Sequence, residues 1–100
     1  MNFNEYQEAC SRTFNNNLTS EQALANIGLG LAGESGEVCE PIKKHLFHGK
    51  PLEKEHMKKE VGDLMFYVAW ACSQLDFTME EAAIANIEKL KQRWPQGFLK

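Results

Sequence analysis

One hundred residues, 43% of them hydrophobic, can build one thin core, so a single domain over residues 1–100 is expected. The 14 acidic residues outnumber the 11 basic ones, for a net charge of −3. That balance argues against a nucleic-acid partner, which would call for a basic excess. Met1 to Glu5 has neither the basic start nor the apolar run of a signal peptide, and no apolar run nears the ~20 residues that span a bilayer. A cytoplasmic protein without a membrane partner is expected.

The first helix is expected at about Asn4 to Phe14, with Tyr6, Ala9, Cys10 and Thr13 at helical spacing. Asn15-Asn16-Asn17 then reads as a loop. Thr19-Ser20-Glu21-Gln22 is a capping box, in which hydroxyl and amide satisfy two exposed backbone donors. The helix it starts should run to about His45. It must carry Gly28, Gly30, Gly33 and Gly36, at a cost of roughly 1 kcal/mol each against Ala. Pro41 should also disturb the turn holding Glu37. Such a helix needs a reason, either the close approach of another backbone or a kink that aims side chains. The alternative is two shorter helices broken near Gly36.

His48-Gly49-Lys50-Pro51 marks a turn, with His45 and His48 expected as exposed loop residues. The third helix, about Leu52 to Leu75, has an apolar stripe of Val61, Leu64, Met65, Val68, Ala71, Cys72 and Leu75 that should face the core. Thr78-Met79-Glu80-Glu81 is a second capping box, and the fourth helix should bury Met79, Ala83, Ile87, Leu90 and Trp94 before Pro95 and Gly97 end it. No segment alternates long enough for a strand. The expected fold is all-α, four main helices whose bundle is completed by homo-oligomerisation. The three cysteines, Cys10, Cys39 and Cys72, form no CxxC pair and are expected as core filling.

Glu34 and Glu37 lie one turn apart on a helix face, and Glu60 and Asp63 repeat that spacing. On the third helix they head a stripe with Tyr67, Trp70 and Gln74 that borders the apolar one. A carboxylate there is costly unless its charge is compensated. Antiparallel packing of the second and third helices could bring both pairs together. Two carboxylates about 4 Å apart repel by roughly 4 kcal/mol at an effective dielectric near 20, so four in one place require a cation. Oxygen-only ligands suit Mg²⁺, Mn²⁺ or Ca²⁺ and not zinc. The spacing alone leaves a solvated acidic face open.

The stretches GLAGESGEVCEPIKK, KKEVGDLMFYVAWA and ANIEKLKQRWPQGF, in that order from about Leu29 to Phe98, resemble the MazG-like all-α nucleoside triphosphate pyrophosphohydrolases. The family's ExxE…ExxD signature reads here as Glu34-Ser35-Gly36-Glu37 and Glu60-Val61-Gly62-Asp63, with 22 residues between. The resemblance implies that Glu34, Glu37, Glu60 and Asp63 bind Mg²⁺, and by their oxygen ligands Mn²⁺ would also suit them. It also implies that (deoxy)nucleoside triphosphates are cleaved to a monophosphate and pyrophosphate, by a homodimer or a dimer of dimers. Pro41 departs from the pattern, which has an ordinary helix former there, and it bears on how Glu37 is aimed. Glu34 or Glu37 is the candidate for activating the attacking water.

Asn86, Lys89 and Arg93 form one stripe of the fourth helix and could meet triphosphate oxygens. The resemblance supports Asn86 and Lys89, which fall in its NxxK block. The competing reading is a basic helix end that complements the dipole. Glu53-Lys54-Glu55-His56 contains a Glu-x-x-His unit, but di-iron bundles need two, and it lies at a helix start, away from the other carboxylates. Glu40 is expected to be solvated, and Tyr67 and Trp70 to fill a helix interface. No GxxxxGK[ST] loop is present, which excludes a P-loop enzyme. Two other classes stay open, a non-catalytic helical homodimer and a nucleotide-sensing module.

Overall fold

Asn2 decides where the chain first becomes helical. In the computed structural model, which describes residues 1–99, its side chain accepts from the Glu5 amide while Glu5 accepts from the Asn2 amide, a reciprocal cap. Helix α1 therefore spans Phe3–Ser11. It ends before the expected Phe14 because the amides of Arg12, Thr13 and Phe14 bond three residues back, to Ala9, Cys10 and Ser11. That tightened turn sends Phe14 into the core.

Helix α2 (Ser20–His48) starts at the Thr19–Gln22 box and runs 29 residues without a break at Gly36. It passes His45 and takes in His48, so both histidines belong to the last helical turns and are exposed there. Pro41 lies inside it. Proline removes one hydrogen bond, and the helix continues through that gap to His48. Gly49 closes the helix at φ 66°, a left-handed conformation that glycine adopts without strain. Helix α3 covers Lys54–Gln74, and α4 covers Met79–Arg93 behind the Thr78–Glu81 box. A 3₁₀ turn over Pro95–Phe98 follows. Among the described residues there are four α-helices and no strand.

Packing overturns part of one expectation. Ala69, Trp70 and Cys72 are the buried residues of α3; Cys72 belongs to the expected core stripe, but Val61, Val68 and Leu75 of that stripe are 43%, 38% and 56% exposed. Trp70 joins Ala23 and Ile27 of α2, with Phe14, Phe66 and Tyr67 packed around them. Phe14 stacks on Trp70 at 5.4 Å, and Phe66 meets Tyr67 edge-on at 5.3 Å. Large aromatic rings remove more area from water than valines do, so the aromatic side of α3 takes the interior. On α4, Met79 is buried but Ile87 and Trp94 are exposed, contrary to the expected stripe. Cys72 is buried and Cys10 half-buried, whereas Cys39 is exposed and fills no core.

Helix α4 touches α1 and α3 but, among the described residues, not α2. The radius of gyration is 16.3 Å, against about 13 Å for a compact chain of this length. No helix of the described residues is long and apolar enough to cross a membrane.

Candidate metal centre

The alignment of α2 on α3 rests on one glycine. A Cβ at Gly30 would collide with the Tyr67 ring, while one at Gly28, Gly33 or Gly36 would meet nothing within 4 Å. Only Gly30 is therefore required by packing within the chain. Tyr67 lies against Gly30, Asp63 and Glu60 lie near Glu34, and His56 shares a cavity with Pro41. Residue numbers thus rise along one helix as they fall along the other. The two helices are antiparallel, the arrangement in which the two carboxylate pairs could meet.

Each helix contributes to an acidic group. Glu34, Glu60 and Asp63 each offer a carboxylate oxygen, and the three atoms lie within 4.8 Å of one another. Glu34 and Glu60 are half-buried, and Asp63 is exposed. Desolvation raises the Glu34 pKa above its ordinary value of 4.5, and the charges of Asp63, Glu60 and Glu37 raise it further. The donor set fits a hard divalent cation. Glu34, Glu60 and Asp63 are the residues that could hold such an ion, since Mg²⁺ takes carboxylate oxygens and keeps several waters.

Glu37 does not join that group of three. It is exposed and lines the cavity beyond it, one turn before Pro41, with Glu40 and His56. Glu40 is solvated as expected, 3.7 Å from Lys44. Two further side chains reach the centre without having been singled out by spacing. His56, expected to lie away from the carboxylates, puts Nε2 3.6 Å from Oε1 of Glu60. The i,i+4 step between them is the signal in the sequence. Tyr6 of α1 donates its hydroxyl to the Gly62 carbonyl, at 3.4 Å. Burial, then the Cys10 hydrogen bond and the charges of Cys10 and Asp63, push its pKa up to about 12, so it stays a neutral donor. Nothing local in the sequence links Tyr6 to residues so far along the chain.

Asn86, Lys89 and Arg93 are all exposed on α4. Helix α4 packs on α1 and α3, and among the described residues neither Lys89 nor Arg93 forms an ion pair with Glu34, Glu60 or Asp63.

Residues 22–98 match the MazG nucleotide pyrophosphohydrolase domain. The chain is also 31% identical over 84 residues to the Gene 37 protein of Mycobacterium phage L5, an alignment covering 80% of this chain and 74% of that protein. No solved structure matches it.

Proposed function

Because this chain belongs to the MazG nucleotide pyrophosphohydrolase family, we propose that it hydrolyses (deoxy)nucleoside triphosphates to a monophosphate and pyrophosphate in a Mg²⁺-dependent reaction, with residues 1–100 as one such domain. The observation carrying this reading is that Glu34 from one half of the ExxE…ExxD signature meets Glu60 and Asp63 from the other. These three would hold the ion, with Glu37 completing the set from the next turn. Bound there, Mg²⁺ would polarise a phosphoryl oxygen and offset charge on the attacking and leaving oxygens; Mn²⁺ would serve in its place. Of the two glutamates that could activate water, Glu37 is favoured, since it is exposed and outside the group of three. Its carboxylate would orient the water and take its proton. Release of pyrophosphate from a panel of nucleoside triphosphates, in Mg²⁺ and in EDTA, is the test. Hydrolysis of at least one, abolished by EDTA, is expected. Binding without release would point to a sensing module, and neither to a non-catalytic homodimer.

The functional unit is proposed to be a homodimer or a dimer of dimers. Val61 and Val68 on α3 with Leu75 at its end, and Ile84 and Ile87 on the neighbouring α4 with Trp94 at its end, are exposed apolar residues on an open molecule, and a second copy would cover them. Light scattering at micromolar concentration should give two or four times the 11.4 kDa chain mass. A value near that of one chain would remove the oligomer from the proposal.

Asn86, Lys89 and Arg93 are proposed to hold the triphosphate, reaching the carboxylates across such an assembly. Lys89→Ala should raise KM several-fold with little change in kcat, because a phosphate contact made in ground and transition states alike is lost. Mg²⁺ binding should stay intact. A wild-type KM in this variant would reduce Lys89 to a solvated charge near a helix end.

A further inference from the structure

At the closed end of the α2–α3 hairpin lies a cavity of about 230 Å³ whose lining includes Glu37, Glu40, Lys44, Lys50 and His56. It abuts the carboxylate centre, since His56 on its wall is the residue 3.6 Å from Glu60. Its basic wall is built rather than incidental. Nδ1 of His45 bonds the Lys50 carbonyl at 2.8 Å, and since a carbonyl only accepts, that nitrogen carries the proton. The Lys50 amide in turn donates to the Lys44 carbonyl, and left-handed Gly49 closes the turn between them. Lys44 and Lys50 are thereby tied to one loop geometry.

The two ammonium groups are available to a ligand. The Lys44–Glu40 contact is 3.7 Å long with both side chains about half exposed, a pair worth only about 0–1 kcal/mol and readily exchanged. Lys50 pairs with no carboxylate among the described residues. The cavity is smaller than the roughly 300–1,000 Å³ that drug-sized ligands fill, too small for a whole nucleotide but suited to one or two phosphates.

We propose that this cavity receives the terminal phosphates of the substrate, with Lys44, Lys50 and His56 favouring triphosphates over shorter nucleotides. The proposal rests on nucleotide hydrolysis at the adjoining carboxylates. Two lysines act here as point charges, and the imidazole adds a directional hydrogen bond. Glu37 and Glu40 in the same lining repel a bare polyphosphate, so binding requires a divalent cation at the neighbouring centre.

The test is calorimetric titration of inorganic pyrophosphate into wild type and into a Lys44→Ala/Lys50→Ala variant, in Mg²⁺ and in EDTA. Both substitutions are on the surface, and titration of Mg²⁺ alone checks that the centre is unchanged. Wild type should bind pyrophosphate only with Mg²⁺, and the variant at least about tenfold more weakly. A nucleoside monophosphate, which lacks the terminal phosphates, should bind both proteins alike. Equal pyrophosphate affinity in the two proteins, or none in wild type, overturns the assignment. Selective loss in the variant without turnover of any triphosphate by wild type would retire the hydrolase reading and keep the phosphate cavity. Turnover by wild type with an unaffected variant would do the reverse.

Discussion

Glu60→Gln should melt at a higher temperature than wild type in EDTA and at a lower one in Mg²⁺. Without metal, the oxygens of Glu34, Glu60 and Asp63 lie within 4.8 Å of one another and repel. Glutamine keeps the shape of Glu60 and removes its charge. The expected gain in EDTA is roughly 1–3 kcal/mol, below the full pairwise repulsion because solvent and protonation soften it. Losing the His56–Glu60 contact works against this, but His56 is about half exposed and such a pair is worth only about 0–1 kcal/mol. For a domain of this size 1 kcal/mol shifts Tm by about 4–8 °C, well within measurement. Added Mg²⁺ should stabilise wild type by linkage and the variant far less.

The pH dependence has a defined sign. Glu34 has a raised pKa in the folded chain, so from its ordinary value of 4.5 up to the raised one the folded state holds a proton that the unfolded state has released. Metal-free wild type therefore loses stability as pH rises through that window. Glu60→Gln, which removes one of the charges responsible, should flatten the slope. With Mg²⁺ the trend opposes this, because the ion binds deprotonated carboxylates. Melts in EDTA, in Mg²⁺ and in NaCl of matched ionic strength, at equal protein concentration, decide the matter. If the two proteins move in parallel across all three buffers, the carboxylates share no ion and form a screened acidic face.

Gly30→Ala should destabilise the chain by roughly 1–2 kcal/mol, although alanine is the better helix former. The new Cβ would fall inside van der Waals contact of three Tyr67 ring atoms. That ring cannot simply withdraw, since it lies edge-on to Phe66 and stacks on Trp70 at 6.2 Å. Overpacking costs typically 1–3 kcal/mol and sometimes more, against about 1 kcal/mol gained in helix propensity. The damage should also reach the proposed metal centre. Glu34 follows Gly30 by one turn and Asp63 precedes Tyr67 by one, so spreading the hairpin there separates the carboxylates and weakens the Mg²⁺ response. Tyr67→Leu in the same chain should restore part of the loss. Gly33→Ala, with open space at its Cβ, should be neutral or stabilising by up to ~1 kcal/mol. A Gly30→Ala protein that melts at or above wild type would mean the hairpin is not held by this contact.

Helix starts and the carboxylate pairs were legible in the sequence because their causes are local. A hydroxyl or amide reaching an amide three residues on starts α2 at Thr19 and α4 at Thr78 wherever the rest of the chain goes. A three-residue step likewise puts Glu60 and Asp63 on one face of any helix that contains them. Periodicity could not choose which face of α3 is buried, because two apolar stripes lie side by side there. The choice fell to the partner surface. Ala23, Ile27 and the bare backbone at Gly30 accommodate Trp70 and Tyr67, leaving Val61 and Val68 outside. The same docking brings Glu34 to Glu60 and Asp63, leaves Glu37 one turn beyond with His56, and delivers Tyr6 from α1. Residue type and spacing fixed which groups could meet, whereas the area and shape of facing surfaces, set by residues far apart in the chain, decided which of them do.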